Sequence, residues 1–183
     1  MSRLLSALRF LPWLFVSPLF AAAATAPADA SPMAGTWRID HARSTELSPW
    51  KGYDLSLTVA GNSVTLHRQL TWGRREFSDT MTVDTSKSDN VVPVEMWPDN
   101  RHLGAYIGGD RTKHVHAQWI DQRRILRLST DLVLDTQQGS RPVNILTDYK
   151  VSANGDLLTV TELRSTRNRP VVYIFKRVPS DSK

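Results

Sequence analysis

The sequence contains no cysteine. That excludes a disulfide framework, a thiolate nucleophile and a cysteine-borne lipid, so the stability of the folded part has to come from a buried core. Also missing are a glycine-rich phosphate loop, a nucleophile-elbow motif and a serine arranged with histidine and acid, and nothing points to a cofactor. Past residue 30 no stretch of any length shows a helical period. The net charge is +5, but the arginines are scattered through expected turns and strands with no basic helix or aromatic-interleaved stripe, which argues against nucleic acid as a partner. A non-enzymatic protein is expected.

The N-terminus has what the rest lacks. Arg3 and Arg9 precede the apolar run Phe10 to Val16 and an alanine tract. Residues 1–30 read as a secretory signal, with small residues for cleavage after Ala24 or Ala30. The run is shorter than the ~20 residues that a spanning helix needs, so no transmembrane anchor is expected. A periplasmic or secreted protein follows, with a domain over 31–178 and a disordered tail over 179–183.

The domain is written in period two. Tyr53, Leu55, Leu57 and Val59 alternate with polar residues, as a strand with one buried face requires. Gly61-Asn62 then allows a two-residue turn, with positive φ expected at both positions. A second turn at Gly73-Arg74 pairs Leu70 with Phe77, Leu66 with Met81 and Val64 with Val83, all on one face. The same register sets Arg68 opposite Asp79 on that inward face. Their pairing could be a polar anchor for an acidic ligand group, or a pair that only neutralises itself.

Further along, Val91 to Trp97 reads as a short strand that Pro93 confines to an edge, and Leu103 to Ile107 as another. His114-Val115-His116 is the one metal-like signature. A turn at Gln122-Arg123 buries Val115, Ala117 and Trp119, so both histidines point outward, and His114 faces Asp131. Outward histidines beside a carboxylate read as solvated side chains, with a surface metal site from His114, His116 and Asp131 as the alternative. Asn154-Gly155 suits a type I′ turn pairing Val151 with Leu158, Tyr149 with Val160 and Thr147 with Glu162. A final turn at Arg167-Asn168 would pair Val160 with Phe175 and Glu162 with Tyr173.

Nine or ten meandering strands with one apolar face escape exposed edges by closing on themselves. The expected fold is therefore all-β: a single antiparallel up-and-down barrel of about eight to ten strands, with a β-sandwich as the alternative.

Gly35-Thr36-Trp37 on the first strand, Arg177 on the last and Thr147-Asp148-Tyr149 between them resemble the lipocalin-like branch of the calycin superfamily, in particular small secreted bacterial proteins of undefined function. The resemblance implies structural roles for Trp37 and Arg177, the cation lying over the indole face. It also implies binding of a small hydrophobic or amphipathic molecule inside the barrel. The expected lining includes Tyr53, Arg68, Phe77, Asp79, Tyr149, Glu162 and Tyr173. The alternative is an envelope structural or interaction module with a filled barrel and function on its loops.

Overall fold

In the computed structural model, which describes residues 31–45, 50–94 and 106–179, every one of the period-two stretches becomes a strand. The first six are β1 (Gly35–Ile39), β2 (Gly52–Ala60), β3 (Ser63–Trp72), β4 (Arg75–Asp84), β5 (Asn90–Pro93) and β6 (Tyr106–Ile107). The rest are β7 (Thr112–Ile120), β8 (Ile125–Thr136), β9 (Gly139–Val151), β10 (Leu157–Arg164) and β11 (Val171–Arg177). A 3-10 turn, His41–Arg43, follows β1. The strands form one antiparallel sheet in the order β4-β3-β2-β1-β11-β10-β9-β8-β7-β5, with β6 laid on β8. One continuous sheet rules out the sandwich.

The sheet curls into a nearly closed barrel. Its two ends, β4 and β5, share no ladder, and the side chain of Asn90 spans the gap. Asn90 Oδ1 accepts from the Asp84 amide at 2.8 Å, and its Nδ2 donates to the carbonyls of Asp84 (3.1 Å) and Val115 (3.0 Å). Pro93 lies on the edge strand, where its missing N–H costs no ladder bond.

Registers follow the turn chemistry. Leu70↔Phe77, Leu66↔Met81, Val64↔Val83 and Arg68↔Asp79 all pair as expected, as do Val151↔Leu158, Tyr149↔Val160 and Thr147↔Glu162. Turn details differ. At Gly61-Asn62 only the glycine has positive φ, 61°. Asn154 is likewise not left-handed: Gly155 alone takes φ 78°, while Asn154 Nδ2 donates to Asp156 within a five-residue connection, 152–156. Between β7 and β8 the turn has no glycine, and Asp121, Gln122 and Arg123 all have positive φ, at 53°, 52° and 66°.

The last hairpin departs by two residues. Leu158 pairs with Phe175, Val160 with Tyr173 and Glu162 with Val171, so Glu162 and Tyr173 are not partners. The connection is not a two-residue turn at Arg167-Asn168 but a six-residue loop, 165–170, ending in Pro170, which cannot donate to a ladder. A slip of two keeps every side chain on its own face, so the period could not reveal it. Of the expected strands Val91 to Trp97 and Leu103 to Ile107, the described parts are β5, Asn90–Pro93, and β6, Tyr106–Ile107; residues 95–105 lie outside the described residues.

One end of the barrel is shut by the strand that opens the fold. Trp37 is fully buried and its Nε1 donates to the Met33 carbonyl at 3.0 Å. Arg177 pairs with it across β1 and β11, its guanidinium 4.0 Å from the ring centre. That guanidinium donates from Nε to the carbonyl of Gly155 (2.8 Å), from Nη1 to that of Ala34 (2.7 Å), and also to that of Pro32. Gly35 makes room for it: a Cβ there would sit 2.6 Å from Nη1.

Candidate functional site

Inward parity does not say how far a side chain reaches along the barrel. On the side of β1, β2 and β11 the interior is filled: Tyr53 packs edge-on against Phe175 at 4.9 Å and Tyr173 at 6.2 Å. Along the opposite wall, from β3 through β5 and round to β10, a cavity of about 350 Å³ remains. Five of the seven residues expected to line it do so: Arg68, Phe77, Asp79, Tyr149 and Glu162. Tyr53 and Tyr173 do not, because they fill the other side.

The cavity opens sideways. Its wall includes the consecutive residues Phe77 to Met81 and Val92 to Val94. Neighbours in a strand point to opposite faces, so a run of five can border one space only where the space passes round the strand's free edge. The opening is thus the seam between β4 and β5, at the end away from Asn90 and Trp37. Trp50 stands beside it, its ring tilted at 6.3 Å from Phe77.

Apolar walls come from Leu66, Leu128, Leu132 and Ile145, and the polar groups converge between them. Arg68 Nε donates to Asp79 Oδ1 at 2.7 Å and its Nη2 to Oδ2. Burial opposes both charges. The hydrogen bond and mutual attraction prevail, holding the Asp79 carboxyl below the usual carboxylate range and the Arg68 guanidinium above its ordinary value. Burial pushes the phenol of Tyr53 up to about 12 and raises that of Tyr149 as well, with Arg68 acting against it in both.

Two charged groups, Arg164 and Lys113, escaped the sequence reading, while Thr130, inward opposite Val115 by the β7–β8 register, was not counted in the lining. Arg164, 5% exposed, bonds Glu162 two residues back on β10. Thr130 is buried opposite them, on β8. Lys113 lies at the start of β7, and burial lowers its ammonium to about 8, the Arg68 charge adding to this against the pull of Asp79 and Glu162. Lys113 has the inward parity of Val115 and Arg164 that of Glu162, so extending parity to the strand ends finds both.

Among the described residues the cavity is lined by three cations, Arg68, Lys113 and Arg164, and two carboxylates, Asp79 and Glu162. Both carboxylates bond an arginine, and their pull on Lys113 is outweighed by burial and the Arg68 charge. Among the described residues no group of three or more His, Cys, Asp or Glu could hold a metal. His114 turns outward, as expected, but bonds Asp89 at 2.8 Å; His116 bonds the Ser88 carbonyl at 3.1 Å, and Asp131 accepts from Asn144 at 3.0 Å.

Barrel, cap and lateral cavity define the class: the fold is that of the calycins, lipocalin-like in its Trp37–Arg177 closure. No model of a known protein family and no curated protein sequence matches the chain. Solved structures do match in fold. A REP1-NXSQ fatty acid transporter is 10% identical with a TM-score of 0.53, over 83% of this chain and 100% of its own. A fatty acid binding protein of Schistosoma mansoni in complex with arachidonic acid gives 10% and 0.52, over 83% and 100%. Lipid binding protein 8 of Caenorhabditis elegans gives 10% and 0.55, over 84% and 100%. Among the described residues no helix is long and apolar enough to cross a membrane.

Proposed function

We propose that this protein is an exported carrier that binds one small amphipathic molecule, with an apolar body and an acidic group, in the lateral cavity. The observation that carries the reading is the placement of Lys113: among the described residues it is a third cation beside two carboxylates that already bond arginines, in a cavity walled by apolar and polar residues in about equal measure. A buried cation is costly unless it is paired, and an acidic group on the ligand would pair it. Leu128, Leu132 and Ile145 would take the apolar body. The structural neighbours support the coarser part, since their names describe carriers or binders of fatty acids or lipids. Export rests on the N-terminal signal pattern over residues 1–30, and no step of the proposal requires the protein to be an enzyme.

Native mass spectrometry of protein purified from an exporting host tests the proposal, followed by titration with a fluorescent fatty acid and its uncharged alcohol analogue. Retention of an apolar acid, or preference for the acid that Lys113→Met abolishes, is expected. Failure to bind either probe would overturn the reading.

A further inference from the structure

The up-and-down topology sorts the surface charges by end. Odd and even turns of a meander lie at opposite ends of the barrel, so residues far apart in sequence collect there. The shut end carries Lys87, Arg123, Arg124 and Lys150, with Lys176 tied to Asp40, offset by Asp84, Asp89, Asp121 and Asp156, and Arg123 is occupied over the Trp119 ring and on the Gly61 carbonyl. The other end, toward which the cavity opens, gathers Arg43, Arg74, Arg75, Arg141, Arg167 and Arg169 from four separate connections. The exposed carboxylates among the described residues there are Glu76, Asp110 and Asp135. The same end displays large aromatic surface. Trp72 is 42% exposed under the Arg75 guanidinium, 5.2 Å from its ring, and Tyr106 is 72% exposed.

We infer that the open end is a docking surface for an anionic lipid bilayer, its arginines meeting the headgroups and Trp72 and Tyr106 resting at the interface. Charge complementarity selects this occupant. Arginines on separate loops make a broad cationic ring suited to a charged plane, and Trp and Tyr are the side chains that favour the boundary between lipid and water. Docked in this way, the β4–β5 seam would lie beside the bilayer, within reach of an amphipathic molecule leaving it. The docking itself does not require a filled cavity, so it stands or falls apart from the carrier reading.

Sedimentation with vesicles of equimolar phosphatidylglycerol and phosphatidylcholine, against pure phosphatidylcholine, tests the inference. Binding to the anionic vesicles alone is expected, weakening steeply as salt shortens the Debye length to ~3 Å near 1 M. The triple variant Arg74→Glu, Arg141→Glu, Arg169→Glu alters exposed positions and should melt like the parent while binding about a hundredfold more weakly, given the attraction each surface arginine contributes. The shut-end variant Lys87→Glu, Lys150→Glu, at two exposed positions, should bind within about threefold of the parent, because those two side chains face away from the lipid. No binding to anionic vesicles, equal binding to neutral ones, or equal loss in the two variants would each overturn it. Probe binding measured on the same samples reports separately on the cavity.

Discussion

Arg68 and Asp79 meet side by side across β3 and β4, directly opposite in register, with their side chains 27% and 31% exposed. A pair at that depth is neither a rim contact nor fully dry. Removing one partner leaves a half-buried charge, so Arg68→Met should cost about 1 to 3 kcal/mol, between the values for exposed and buried pairs. Adding Asp79→Asn should recover most of the loss. Urea denaturation of the two single variants and the double variant checks it; strictly additive losses would mean that the residues do not interact.

The lysine makes binding pH-dependent. In the empty protein burial brings Lys113 to about 8 from its ordinary 10.5, and an anion placed beside it would raise that value again. Binding then takes up a proton above pH 8. Affinity for an acidic probe should be flat below pH 8 and fall above it, by up to about tenfold per pH unit. Lys113→Arg should extend the flat region to higher pH. For stability the sign is opposite: the unfolded chain holds the proton up to a higher pH, so this group makes the empty fold more stable as pH rises from about 8 to 10.5.

At the shut end, Gly35 and Arg177 compete for one space. Gly35 has φ +133°, and a Cβ would meet the guanidinium. Gly35→Ala should therefore cost about 1 to 3 kcal/mol, through backbone strain and displacement of the arginine. Arg177→Met should cost a similar amount by stripping Trp37 of its cation and three carbonyls of their donor. The double variant should lose much less than the sum of the two, as thermal melts would show.

The β7–β8 turn stores strain that a single change can relieve. Gln122 sits at φ 52° with an exposed side chain. Gln122→Gly should raise stability by about 1 kcal/mol and move the denaturation midpoint up without altering its slope. Arg123 is the wrong choice for this test, because it covers Trp119 and bonds Gly61.

Filling the cavity should separate folding from binding. Thr130→Phe places an aromatic ring among Leu128, Leu132 and Lys113 without touching the Tyr53 side of the core. Probe binding should vanish while stability changes by no more than about 1 to 3 kcal/mol, the usual range for added bulk.

Parity made most of this architecture legible. Where a short turn joins two strands, the residues themselves set the register, and Arg68 opposite Asp79 or Tyr149 opposite Val160 could be read directly. Where the loop lengthens, as before Pro170, any even slip satisfies the same pattern, and Glu162 was given the wrong neighbour. Depth was the second thing hidden. Tyr53 and Tyr149 are both inward, yet one stacks on Phe175 and the other borders open space. That difference comes from the curl of the whole sheet, which no local stretch encodes. Lys113 went unnoticed because alternation was judged only where apolar residues carried it.

The seam between β4 and β5 has a cost as well as a use. A sheet that fails to close leaves two strands with unpaired backbone groups, which another chain could extend. This protein blunts both. β5 has only four residues, one of them Pro93, and β4 carries Arg75, Glu76, Asp79 and Asp84 along its length. The same entrance that would admit a ligand is thereby guarded against self-association, and the charges at the cavity mouth serve solubility whether or not anything is bound.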